Sequence, residues 1–146
     1  MALNAVLGAA LALFSSPAQA APVYWTFQNL ASFNCLTGGT SGAAWLTTCT
    51  GSTNQQWDWI GTSNNMLKNR ATGRCLTTDN KTASNATWTS TCVNNAYGQV
   101  FHYTGGTLYS AAYYTYLRAE IGDDGVRADR TGDLTSPLFE WIGTHN

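Results

Sequence analysis

The feature that most constrains this chain is that it repeats itself three times. Three segments end alike: Gln55-Gln56-Trp57-Asp58-Trp59-Ile60-Gly61, Gln99-Val100-Phe101-His102-Tyr103-Thr104-Gly105 and Pro137-Leu138-Phe139-Glu140-Trp141-Ile142-Gly143. Each runs aromatic, polar, aromatic and then reaches a glycine, the period-two alternation of a half-buried strand and its exit turn. The openings match as well. Phe27 to Ala31, Leu67 to Ala71 and Leu108 to Ala112 align without a gap. The same register carries on into Cys35-Leu36-Thr37, Cys75-Leu76-Thr77 and Tyr116-Leu117-Arg118. In the first two copies, Trp45 and Trp88 stand at the same spacing before the second cysteine of a pair.

A period of about 40 residues fits helical pairs, propeller blades or a three-lobed all-β fold. Helical repeats are excluded by the lack of 3.6-residue periodicity and by the many Gly, Thr, Ser and Asn residues. A propeller needs at least four blades. Three copies of roughly four short strands leave the β-trefoil, in which no lobe buries its apolar face alone. The copies run over about 25–61, 65–105 and 106–143, within one domain of residues 21–146.

Only 10% of the residues are charged, beside six Trp, seven Tyr and 14 Gly. The usual charged share is about a quarter, so solubility here rests on Ser, Thr and Asn. A net charge of −1 offers no basic footprint for a phosphate backbone, which argues against nucleic acid as a partner. Residues 1–20 read as an export signal. Ala5 to Phe14 form an apolar run too short to span a bilayer, and Ala18-Gln19-Ala20 supplies a small-residue cleavage site before Ala21. No Lys or Arg precedes the run, which departs from the usual pattern. A secreted, extracellular and monomeric domain is expected, without a membrane span. Cys35, Cys49, Cys75 and Cys92 fit an exported protein and show no C-x-x-C spacing of a zinc or redox site. They allow three connectivities, of which the repeat favours Cys35–Cys49 and Cys75–Cys92. Bridges closing loops of this size contribute roughly 3 kcal/mol each.

The C-L-x opening, the second cysteine and the closing Q-x-W resemble the ricin-B-type lectin trefoils over residues 25–143. In detail the chain is similar to small secreted bacterial members, in which an A-T-G-R-C-L-D opening is common; here it reads Ala71-Thr72-Gly73-Arg74-Cys75-Leu76-Thr77. The resemblance implies a carbohydrate-binding module with a sugar site in each lobe. In that family an Asp after C-L accepts hydrogen bonds from adjacent sugar hydroxyls, an aromatic ring stacks on the pyranose, and an Asn-Gln pair adds amide hydrogen bonds. Charged acceptors hold hydroxyls strongly, and a flat ring covers C–H surface at little entropic cost.

Carried over position by position, the resemblance is partial. The first lobe offers Thr37 at the Asp position, Trp45 as platform, and Asn54 and Gln55 as the amide pair. The second offers Thr77, with Asp79 able to substitute if the strand continues, together with Trp88 and Gln99; Gly98 takes the Asn position. In the third lobe Arg118 replaces the Asp, Tyr116 the Cys and Pro137 the Gln, so a site of the family type is not expected there. Loss of the acid from all three lobes weakens each site. A Thr hydroxyl in place of a carboxylate forfeits on the order of 1–2 kcal/mol.

Catalysis would need a convergent set of groups. His102 and His145 are the only histidines, and neither an H-E-x-x-H nor a G-x-S-x-G motif is present. No enzyme activity, cofactor or metal is expected. The alternative to a lectin is a protein-binding trefoil, an inhibitor or a targeting module. It would use the charged third repeat, where Glu120, Asp123, Asp124, Asp129 and Asp133 alternate with Arg118, Arg127 and Arg130.

Overall fold

The computed structural model describes residues 23–63, 65–130 and 132–146. The expected export segment lies outside them. The strands are β1 (Trp25–Asn29), β2 (Asn34–Gly38), β3 (Ala44–Thr48), β4 (Trp57–Ile60), β5 (Met66–Asn69) and β6 (Cys75–Thr78). They continue with β7 (Ser84–Ser90), β8 (Phe101–Thr104), β9 (Thr107–Ser110), β10 (Thr115–Ala119), β11 (Val126–Asp129) and β12 (Trp141–His145).

Half of these strands close a barrel. β1 pairs with both β12 and β4, β4 with β5, and β8 with β9. The Phe101 N–H donates to Asn65 O and the Trp141 N–H to Gly106 O, which joins the lobes and completes the ring. The other strands form the hairpins β2–β3, β6–β7 and β10–β11, and these meet at one end of the barrel. β7 pairs with β11, while bridges Ala43–Trp88 and Trp45–Gly125 tie β3 to the other two hairpins. The arrangement is a β-trefoil, as the threefold repeat predicts. Each lobe sends equivalent side chains to one core: Phe27, Leu67 and Leu108; Leu36, Leu76 and Leu117; Trp57, Phe101 and Trp141 are all 0 or 1% exposed. Both local disulfides, Cys35–Cys49 and Cys75–Cys92, are formed.

The third lobe corrects the sequence register. Trp57 pairs with Asn69, Phe101 with Ser110 and Trp141 with Asn29, so Trp141 and not Phe139 is the equivalent of Trp57. The preceding turn agrees, because the Phe139 N–H donates to Ser136 O as Gln55 does to Ser52 and Gln99 to Ala96. Two aromatics spaced two residues apart, Phe139 and Trp141, satisfy the alternation in either register. Phe139, not Pro137, therefore stands at the Gln position of this lobe.

Candidate functional site

The first hairpin places Thr37 directly across from Trp45, on the same face. Thr37 is buried; its hydroxyl donates to Cys35 O at 2.9 Å and accepts from Gln55 Nε2 at 3.4 Å. Gln55 is buried too. Its Oε1 accepts from the N–H groups of Thr50 and Gly51, and its Nε2 donates to Thr48 O at 2.8 Å. That side chain clamps the loop carrying Cys49 to the hairpin. Trp45 remains half-buried with its ring against Gly39, where a Cβ would lie 2.6 Å from the indole. Any side chain at 39 would displace the ring. Asn54, half-buried, accepts from Ser52 Oγ through Oδ1, and its carbonyl accepts from Asn69 Nδ2. Among the described residues its own Nδ2 has no partner.

The second lobe repeats the design. Thr77 faces Trp88, donates to Cys75 O at 2.9 Å and accepts from Gln99 Nε2 at 3.2 Å. Gln99 also donates to Ser90 Oγ and Thr91 O and accepts from the Val93 N–H, again closing the loop around a disulfide. Trp88 is half-buried. Gly98 is pressed on the end of β6, for a Cβ there would lie 2.3 Å from Thr78 O. The condition placed on Asp79 is not met: β6 ends at Thr78, and Asp79 lies in the following loop with Lys81 Nζ at 3.4 Å.

In the third lobe the same positions carry charge. Arg127 occupies the place of Trp45 and Trp88, opposite Arg118. Arg118 pairs with Asp129 and Arg127 with Glu120, at 2.5 and 3.0 Å. Leu138 and Phe139 stand where the first lobe has Asn54 and Gln55. A pocket of about 620 Å³ beside them is walled by Glu120, Ile121, Asp123 and Asp124. Arg118, Arg127 and Asp129 lie on the strands of this hairpin, while Glu120, Asp123, Asp124, Arg130 and Asp133 lie in the turn and loop beside them.

Thus Thr37, Trp45 and Gln55 come together with Asn54 beside them, Thr77, Trp88 and Gln99 form a second cluster, and Asp79 stands at its edge. Sequence reasoning missed Asn29 and Asn69. Each is 0% exposed, caps the turn that follows it through Oδ1 and donates to the facing loop through Nδ2. Their matching positions in the repeat were the available signal. No group of three or more potential metal ligands occurs among the described residues, and no helix among them is long and apolar enough to cross a membrane.

A threefold barrel capped by three hairpins, two of which carry half-buried tryptophans, defines a β-trefoil. Residues 21–114 match the ricin-type beta-trefoil lectin domain, and the chain belongs to that family. The match ends where the third lobe loses its Cys, Asp and Gln positions. No curated protein matches the chain by sequence. Among solved structures, it is similar to a non-toxic homologue of type II RIPs from Momordica charantia (bitter gourd), solved with alpha-methyl-D-galactoside. The TM-score is 0.69 at 18% identity, covering 83% of this chain and 47% of that one, so the chain spans about half of it. The designed threefold-symmetric protein ThreeFoil gives 0.66 at 18% identity over 82% and 96% of the two chains. The C-half of the earthworm R-type lectin, solved with GalNAc, gives 0.62 at 10% identity over 86% and 100%.

Proposed function

We propose that this domain is an exported carbohydrate-binding module that takes sugar on its first two lobes. The observation that carries the reading is the pair of half-buried tryptophans, Trp45 and Trp88, held on equivalent hairpins beside polar groups. In the first lobe Trp45 stacks on the pyranose while the Asn54 amide and the indole N–H donate to hydroxyls. In the second, Trp88 stacks and its indole N–H donates, without Asp79, which lies in the loop beyond β6. Thr37, Gln55, Thr77 and Gln99 act behind them, their hydrogen bonds directed into the fold. The sugar complexes of the bitter-gourd and earthworm proteins support the ligand class, and two disulfides support an oxidising compartment.

Tryptophan fluorescence titrated with galactose-, xylan- and chitin-type oligosaccharides tests this. A saturable change is expected for at least one series, reduced in Trp45→Ala and in Trp88→Ala. Silence of the wild type at millimolar sugar would refute the reading.

A further inference from the structure

The six tryptophans divide by place and by the use of their indole N–H groups. Trp57 and Trp141 are core residues that donate to Leu36 O at 3.0 Å and Leu117 O at 2.9 Å. Trp45 and Trp88 belong to the hairpins. Trp25 and Trp59 lie at the opposite end of the barrel, half-buried, and among the described residues nothing accepts from their indole nitrogens. There they border a pocket of about 530 Å³, within the usual range for small-molecule sites of roughly 300–1,000 Å³.

The corrected register explains how the rings at this end are arranged. Trp59, Tyr103 and Gly143 are equivalent, each two residues beyond the closing aromatic of its lobe. The third lobe contributes no side chain, and Tyr103 takes that space: a Cβ at 143 would lie 2.6 Å from its ring. The Tyr103 hydroxyl is fastened there, donating to Trp141 O at 3.0 Å and accepting from the Gly143 N–H at 2.8 Å. Phe101 lines the pocket from the core, and the buried Phe27 braces its three rings, with Trp25 stacked on it at 6.0 Å and Trp59 and Tyr103 edge-on at 6.2 and 5.4 Å.

We propose that this open end is a further carbohydrate site, for a neutral pyranose, separate from the lobe sites. The inference rests on reading the domain as carbohydrate-binding. Ser63 and Thr104 give the rim exposed hydroxyls, and no Asp, Glu, Lys or Arg is among the described lining residues. An alkyl ligand would leave the rim unpaired, and a charged one would find no counter-charge. A sugar uses both features, setting its C–H face on an indole and its hydroxyls against Ser63, Thr104 and the indole N–H groups.

Proton–nitrogen correlation spectra give each indole its own peak, so the two kinds of site report separately. During titration with the same oligosaccharides, the Trp25 and Trp59 peaks are expected to move saturably, in the wild type and in the W45A/W88A variant alike. Thr104→Arg, at an exposed rim position, should weaken that response about tenfold or more without shifting the unfolding midpoint; Ser63→Arg serves equally if the first variant fails to fold. Movement confined to the Trp45 and Trp88 peaks would overturn this proposal and leave the lobe sites standing. Movement of no peak in the wild type would remove both. An unchanged affinity in a folded rim variant would likewise overturn it.

Discussion

Gln99 shows how a residue that the family resemblance assigns to ligand can be spent on the fold. It is 3% exposed and spans Val93, Thr91, Ser90 and Thr77. Gln99→Ala leaves the buried Thr77 hydroxyl and the Val93 N–H without this partner, and a loss of about 2–3 kcal/mol is expected by denaturant unfolding. A loss under about 0.5 kcal/mol would contradict the bracing role. Phe33 runs the other way. It is 67% exposed, with φ of 57°, at the position where the second lobe has Gly73 at 69°. An L-residue in this region costs roughly 1–2 kcal/mol, partly offset by the larger unfolded-state entropy of glycine. Phe33→Gly should therefore raise stability by about 0.5–1 kcal/mol, and a fall would show that the exposed ring packs usefully. The matching places of Trp45 and Trp88 were legible from the repeat alone. The burial of Thr37, Gln55, Thr77 and Gln99 was not, because sequence position fixes which neighbours a side chain has along the strand, not which loop folds over it.

At the scale of elements, the third hairpin has exchanged a threonine and a tryptophan for ion-paired arginines. Arg118 and Asp129 are 19% and 14% exposed at the side chain, and Asp129 Oδ1 is buried with no hydrogen-bond partner. Removing the arginine leaves that carboxylate with less compensation. Arg118→Ala is expected to cost about 2–3 kcal/mol in thermal unfolding, with R118A/D129A recovering most of it. If the double variant is no better than the single, the pair is not what holds the hairpin. The strands themselves were readable because alternation and three copies reinforce one another. The closing register of the third copy was misread because Phe139-Glu140-Trp141 fits the pattern twice, and only the pairing of Trp141 with Asn29 decides it. Asp79 was likewise uncertain until β6 proved to end at Thr78.

On the scale of the whole molecule, pseudo-threefold symmetry supplies the stability and its departures supply the differences among sites. Leucines, aromatics and two disulfides repeat around the axis, while Arg127 interrupts the tryptophan pattern on the hairpins and Gly143 makes room for Tyr103 at the far end of the barrel. The trefoil was legible in the sequence because its core repeats. The far-end pocket was not, since Trp25 and Trp59 belong to one lobe, Tyr103 to the next, and only barrel closure brings them together. The measurement that tests the central claim most directly is affinity electrophoresis in gels containing galactan, xylan or chitin-derived polysaccharide. The wild type should be retarded in at least one of them, and a folded W45A/W88A variant should lose most of that retardation. Equal mobility of the wild type in every gel, or equal retardation of the double variant, would contradict the account.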